Sequence, residues 1–165
     1  MCIRDRDITM HIDSPGGSVK SGLSMVDVMR YIKSDVATIN TGYAASMGSI
    51  LLSSGEKGKR SSLNFSKVMI HQLSSGVSGN IQDTRVSQME SEKYNFILFK
   101  ILAENCGKSL NEVLDSARND NWLNSQESLD FGLIDEIILS DKSTSITSLL
   151  DGFDDYYSKE VLKRK

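Results

Sequence analysis

The chain has one proline in 165 residues, and what stands on either side of it constrains the fold more than any other feature. Pro15 is followed by Gly16 and Gly17 and preceded by the alternating segment Ile8-Thr9-Met10-His11-Ile12, which reads as a strand closed by a turn. After the turn the period changes. Val19, Leu23, Val26, Met29 and Ile32 recur at steps of three and four, which predicts an amphipathic helix ending near Ser34. Val36-Ala37-Thr38-Ile39 then reads as a short buried strand. Strands alternating with helices place the chain in the α/β class. With 39% hydrophobic residues it is long enough to bury a real core as one domain.

Two further segments carry chemistry. Gly42-Tyr43-Ala44-Ala45-Ser46-Met47-Gly48 reads as a strand ending in a small-residue turn, from which an apolar helix, Met47 to Ser53, departs. Ser46 would stand at the helix N-terminus with its hydroxyl clear of the backbone, where an acyl-transfer nucleophile belongs. A serine hydroxyl is a poor nucleophile until a base takes its proton, and the chain has two histidines, His11 and His71. His71 closes the apolar run Val68-Met69-Ile70, which reads as a buried strand delivering the next side chain to a sheet end. His11 lies between Met10 and Ile12 as the polar face of a strand would, so it reads as structural. Chemistry alone leaves Asp115, Asp120 and Asp130 open as the acid, because a triad acid is near its histidine in space and not in sequence. The two glycines after Pro15 offer unshielded N–H groups suited to an oxyanion; in isolation they would read as a turn that needs positive φ.

The net charge of −3 gives no electrostatic case for nucleic acid or an anionic membrane surface. No run approaches the length of a membrane span, and no signal peptide is legible, so a cytoplasmic location is expected. Cys2 and Cys106 suggest neither a disulfide framework nor a metal site, and Cys106 beside Gly107 reads as a helix-end packing residue. Gly55-Glu56-Lys57-Gly58-Lys59-Arg60 reads as a polar connection, Ser109-Leu110-Asn111-Glu112 as a capping box opening a short helix, and Ser125-Gln126-Glu127-Ser128 as the start of another. Trp122 beside Leu123 reads as packing. The longest helix runs from Ile81 to Asn105, and the run Phe96 to Leu102 nearly encircles it with apolar surface, which must be buried on more than one side.

The runs Asp13-Ser14-Pro15-Gly16-Gly17-Ser18, Gly42 to Gly48 and Met69-Ile70-His71-Gln72, in this order and at these separations, resemble the proteolytic subunit of the Clp protease family (ClpP). That family consists of serine peptidases of the crotonase-like fold, and the likeness runs from about Asp7 to about Leu139. It implies a spiral of strand-strand-helix units with a long protruding handle helix, here Ile81 to Asn105, at which two heptameric rings interdigitate. It implies Ser46 as nucleophile, His71 as general base, Asp120 as the acid, and the amides of Gly17 and Met47 as the oxyanion hole. The loop Gln72 to Asn80, with Gly76 and Gly79, becomes an edge that pairs with an extended peptide. Where the family usually has proline after the His-Gln pair, this chain has Leu73.

The resemblance further implies an ATP-dependent protease built as a homo-oligomer of two stacked heptameric rings. Unfolded polypeptide would be delivered by an AAA+ unfoldase of the ClpX, ClpA or ClpC type, with ATP used by that partner and no cofactor or metal in the subunit itself. A catalytically silent ring subunit and a crotonase-type acyl-CoA enzyme are the alternatives on the same fold. Residues 7–139 would be the peptidase domain, lacking the family's N-terminal part. Residues 1–6, unlike the family, are a candidate sequence artefact, and 140–165 form a polar tail in which Leu149, Leu150 and Phe153 suggest a loosely attached helix.

Overall fold

The computed structural model describes residues 6–74, 76, 78–139 and 144–161. The elements follow one another in chain order. They are β1 (Ile8–Ser14), α1 (Val19–Tyr31), β2 (Val36–Ala45), α2 (Met47–Ser53), β3 (Arg60–Leu63), β4 (Lys67–Ile70), α3 (Ile81–Cys106), α4 (Leu110–Ser116), β5 (Asn121–Leu123) and α5 (Ser125–Phe131). They are followed by β6 (Glu136–Ile138), α6 (Ile146–Leu149), α7 (Phe153–Tyr156) and a closing π turn (Tyr157–Val161).

β2 is the spine of a six-stranded curled sheet. Ile8 to Ile12 of β1 lie parallel to Val36 to Asn40. β3 pairs with the first half of β2 at Thr38 to Asn40, and β4 with the second half at Tyr43 to Ala45. Both are parallel to it. β6 extends the sheet beyond β3, and β5 pairs antiparallel with β4 at the other edge. β2 is therefore longer than the buried run Val36 to Ile39 suggests: pairing with β4 holds the chain extended to Ala45, so the strand delivers its end directly to Ser46. Two polar side chains inside this strand are fully buried and satisfied. The Thr38 hydroxyl donates to the Leu52 carbonyl at 2.8 Å, and the Asn40 amide to the Lys67 carbonyl at 2.9 Å.

α1 buries Val26 and half-buries Val19, Leu23 and Met29, the spaced residues of its apolar stripe. It stops at Tyr31 rather than near Ser34, because Ile32 turns to extended backbone while its N–H still closes the last turn on Val28. The core is completed by Ile50 and Leu52 of α2, Val68 and Ile70 of β4, Phe99 and Leu102 of α3, Val113 of α4, and Leu133 and Ile134. α3 is capped at both ends. The Asn80 side chain accepts from the amides of Gln82 and Asp83, and Gly107 turns left-handed at φ 66°. Its last turns supply buried Leu98, Phe99, Ile101 and Leu102, whereas Phe96 and Ile97 stay exposed, as do Ile81, Val86 and Met89 further back. Trp122 is only half covered: it stands 49% exposed on the edge strand β5, opposite Met69. Asn64 ties the tail to the body: it donates to the Thr144 carbonyl at 2.7 Å and accepts from the Ile146 amide at 3.0 Å.

Arg60 corrects the reading of residues 55–60 as a polar connection. It opens β3, and its side chain is 1% exposed. Its guanidinium meets Asp135 through two bonds, Nη2 to Oδ1 at 2.6 Å and Nε to Oδ2 at 2.8 Å. Nη1 donates to the carbonyls of Asn105 and Ser53 at 3.0 and 3.3 Å, so one cation joins the ends of α2 and α3 to the residue that leads into β6. Burial by itself would raise the Asp135 carboxyl, but the Arg60 hydrogen bonds and charge outweigh it and hold the group below its ordinary value. Its stabilising contribution is therefore present above the usual carboxylate range, and is lost as pH falls through the lower folded value. Asp135→Ala, which strands a buried guanidinium, is expected to cost about 3–5 kcal/mol. Urea unfolding at neutral pH measures this, and a loss within error of zero would mean that water satisfies Arg60 as well as Asp135 does.

Candidate active site

β2 ends at Ala45 and α2 begins at Met47, so a single residue, Ser46, makes the whole turn between them. It does so at φ 54° and ψ −119°, and it is the one non-glycine with positive φ among the described residues. An L-residue held there carries strain on the order of 1–3 kcal/mol, which the surroundings must overcome. Ala45 and Met47 are buried on either side. The Ser46 amide donates to the Met69 carbonyl at 2.9 Å, continuing the β2–β4 pairing past the strand's end. The Ser46 carbonyl accepts from both the amide and the hydroxyl of Ser49, at 3.0 and 2.7 Å. Backbone groups are thus fixed, and the Ser46 hydroxyl caps no helix amide.

That hydroxyl meets His71. Ser46 Oγ lies 2.9 Å from His71 Nε2, and His71 Nδ1 lies 3.1 Å from Asp120 Oδ1. The sheet explains both contacts. β4 stops at Ile70, so His71 is the first side chain past its end, alongside the Ser46 turn. β5 runs antiparallel with Ile70 opposite Asn121, so the next pair outward is His71 with Asp120. Of the three acids that chemistry left open, Asp115 pairs with Arg118 and Asp130 accepts from Gln126. The structure brings Asp120 to the histidine. The His71 side chain is 19% exposed and that of Asp120 66%. With a proton on Nδ1 facing the carboxylate, Nε2 presents a lone pair to the serine hydroxyl.

The Pro15-Gly16-Gly17 turn packs directly under this serine. A Cβ built on Gly16 would stand 2.7 Å from the Ala45 carbonyl oxygen and 2.8 Å from Ser46 Cβ, and Gly16 has φ 94°, so only glycine fits. The Ser14 hydroxyl accepts from the Gly16 amide at 3.1 Å, and Asp13 accepts from the Tyr43 amide at 3.1 Å. The Ser14 bond braces the turn internally, and the Asp13 bond fastens it to β2. Met47 is the first residue of α2, where helix amides have no acceptor in their own helix. Gly17, Met47, Ser46 and His71 all border one cavity of about 350 Å3, whose remaining wall is largely apolar: Val19, Ile50, Ile70, Leu73, Leu98 and Leu102.

Gly76 and Gly79 are exposed on the segment leading into α3, with Gly79 at φ 142°, and neither borders that cavity. Residues 75 and 77 of the same loop, Cys2, and the ends of the tail lie outside the described residues. His11 is exposed on β1. Cys106 is buried at the end of α3, its thiol pushed up to about 11 chiefly by burial. Among the described residues no three His, Cys, Asp or Glu side chains gather as a metal site, and no helix is long and apolar enough to cross a membrane. Sequence reasoning passed over Ser14, Asp13 and Ser49, which hold the turns. It also passed over Asn95, whose side-chain oxygen accepts from the Leu73 amide at 2.9 Å. Asn95 stands at the start of the apolar face of α3, where a polar residue gives no distinct sequence signal.

A sequence model of the family described as Clp protease matches residues 3–141. Among curated relatives, an ATP-dependent Clp protease proteolytic subunit of Bacteroides fragilis (strain ATCC 25285) is 46% identical over 134 residues, covering 81% of this chain and 65% of the relative. A protein of the same name from Streptococcus agalactiae serotype V is 47% identical over 135 residues, covering 81% of this chain and 69% of the relative. The chain thus spans slightly less than two thirds of the Bacteroides fragilis relative and slightly more of the streptococcal one.

Proposed function

The chain belongs to the Clp protease family, and from that premise we propose that it is a serine endopeptidase subunit working through Ser46, His71 and Asp120. The observation that carries the proposal is the continuous hydrogen-bonded line from Ser46 Oγ through the imidazole to Asp120, with the serine held at positive φ. His71 Nε2 accepts the hydroxyl proton as Ser46 Oγ attacks a peptide carbonyl, and Asp120 steadies the imidazolium that forms. The amides of Gly17 and Met47 receive the oxyanion; in sites of this kind each such donor is worth about 3–4 kcal/mol of barrier. Collapse of the tetrahedral adduct returns the proton from His71 to the leaving amine and leaves an acyl ester on Ser46. Water, deprotonated by the same imidazole, then releases the acid. These steps draw only on side chains and amides, so the subunit requires no metal or organic cofactor of its own.

The finer reading concerns assembly. Phe96 and Ile97 expose apolar surface on the same helix whose next residues are core, which favours burial against other copies. Asp120 is two-thirds exposed, where water weakens its hold on His71, and a neighbouring subunit covering it would strengthen that hold. These exposures support assembly with further copies of the chain; the stacked heptameric rings, the cytoplasmic location and the AAA+ unfoldase that delivers unfolded polypeptide are proposed on the family resemblance. The Ser46–His71 contact speaks against a silent subunit.

Short fluorogenic peptides test the reading. The apolar wall of the cavity beside Ser46 predicts that a Leu or Met residue supplying the attacked carbonyl is cleaved at least tenfold faster, in kcat/KM, than Asp or Lys at that place. Equal rates for all four would show that the cavity does not receive that side chain, and no serine-dependent cleavage of any of them would refute the peptidase reading itself.

A further inference from the structure

The face of α3 that borders the cavity is set by Leu98, Phe99 and Leu102. Asn95 precedes them at helical spacings of three, four and seven, so it continues the same face one turn earlier. Asn95 is half-buried where this apolar face meets the polar positions Ser91 and Glu92, so its carboxamide needs a partner. Asn95 finds it in the Leu73 amide, two residues beyond His71, through a part-buried bond of 2.9 Å. Leu73 itself is half-buried and borders the cavity together with Ser74. β4 ends at Ile70, and its pairing with β2 and β5 reaches no further than Met69 and Ile70, so the Leu73 N–H lies past the ladder and donates to the Asn95 side chain instead. From this juxtaposition we infer that Asn95 is a positioning residue. It fixes the wall formed by Leu73 and Ser74 against α3, and thereby sets how a peptide substrate sits beside Ser46, without touching the reacting atoms.

This inference rests on the peptidase reading above, and the experiment separates the two. Wild-type protein, Asn95→Leu and Asn95→Asp are compared in peptide hydrolysis and in the rate at which a small fluorophosphonate labels Ser46. Leu keeps the volume of the side chain but removes the acceptor; Asp keeps the acceptor. Asn95→Leu is expected to lower kcat/KM for a peptide about tenfold, mainly through KM, while the labelling rate changes less than twofold. Asn95→Asp should retain hydrolysis within about threefold of wild type. In a Leu73→Pro background, where the donor is gone, Asn95→Leu should bring no further loss.

Equal hydrolysis by wild type and Asn95→Leu would overturn the inference. So would a parallel loss of labelling and hydrolysis in both Asn95 variants, which would mark a general structural role. If Leu73→Pro does not fold, the comparison of Leu with Asp at position 95 decides by itself. Wild-type protein that neither labels at Ser46 nor cleaves peptide would instead overturn the peptidase reading.

Discussion

Ser46→Ala will lower peptide turnover by about 10^4-fold or more, to the level left by oxyanion donors and binding alone, while the folded protein and its particle size stay unchanged. The side chain removed is one hydroxyl that caps no helix amide, and the bonds that hold the turn run through the Ser46 backbone to Met69 and Ser49. Alanine at φ 54° keeps the strain that serine already bears. Stability should therefore move far less than rate. Turnover by the purified variant, with circular dichroism and sedimentation as controls, measures it. Retention of more than a few per cent of wild-type turnover would mean that another group is the nucleophile.

Asp120→Asn is expected to be nearly as costly, with turnover falling about 10^3–10^4-fold. The carboxylate accepts from His71 Nδ1 and so favours the tautomer with a free lone pair on Nε2. A carboxamide can turn its NH2 toward Nδ1, which places the proton on Nε2, where it can no longer accept from Ser46. Asp115→Asn and Asp130→Asn serve as controls. Their carboxylates face Arg118 and Gln126 on the protein surface, and they should stay within about twofold of wild type. Small and equal losses at all three positions would show that Asp120 does not orient the histidine during turnover.

What could be read from the chain, and what could not, divides along the range of the forces involved. α2 and the strand before His71 are set by local patterning: small residues into a turn, an apolar run, then a change of period. β4 begins one residue before the apolar run Val68 to Ile70, and α2 spans Met47–Ser53 as that patterning indicates. The helix from Ile81 extends one residue past Asn105, to Cys106, before Gly107 ends it. β3 had no such signal. Its sequence, Arg60-Ser61-Ser62-Leu63, is polar, and it is buried because β2 and β6 flank it and because Asp135, far along the chain, neutralises Arg60. Trp122 and Asp120 belong to the same difficulty. β5 is three residues long on a sheet edge, too short for alternation to show, so its pairing with β4 decides both which acid meets His71 and that the indole is only half covered. The family resemblance named Asp120; the β4–β5 register gives the physical reason why that side chain, and not Asp115 or Asp130, lies at the imidazole.

The central claim is that Ser46 is the activated nucleophile, and its most direct measurement is covalent. The protein is treated with a fluorophosphonate, digested, and the adduct located by mass spectrometry, alongside Ser46→Ala and His71→Ala proteins. A single stoichiometric adduct on Ser46 is expected, abolished by Ser46→Ala and slowed at least a hundredfold by His71→Ala, because the hydroxyl then has no base at 2.9 Å. An adduct on a different serine that persists in the Ser46→Ala protein, with Ser46 of the wild-type chain unmodified, would contradict it.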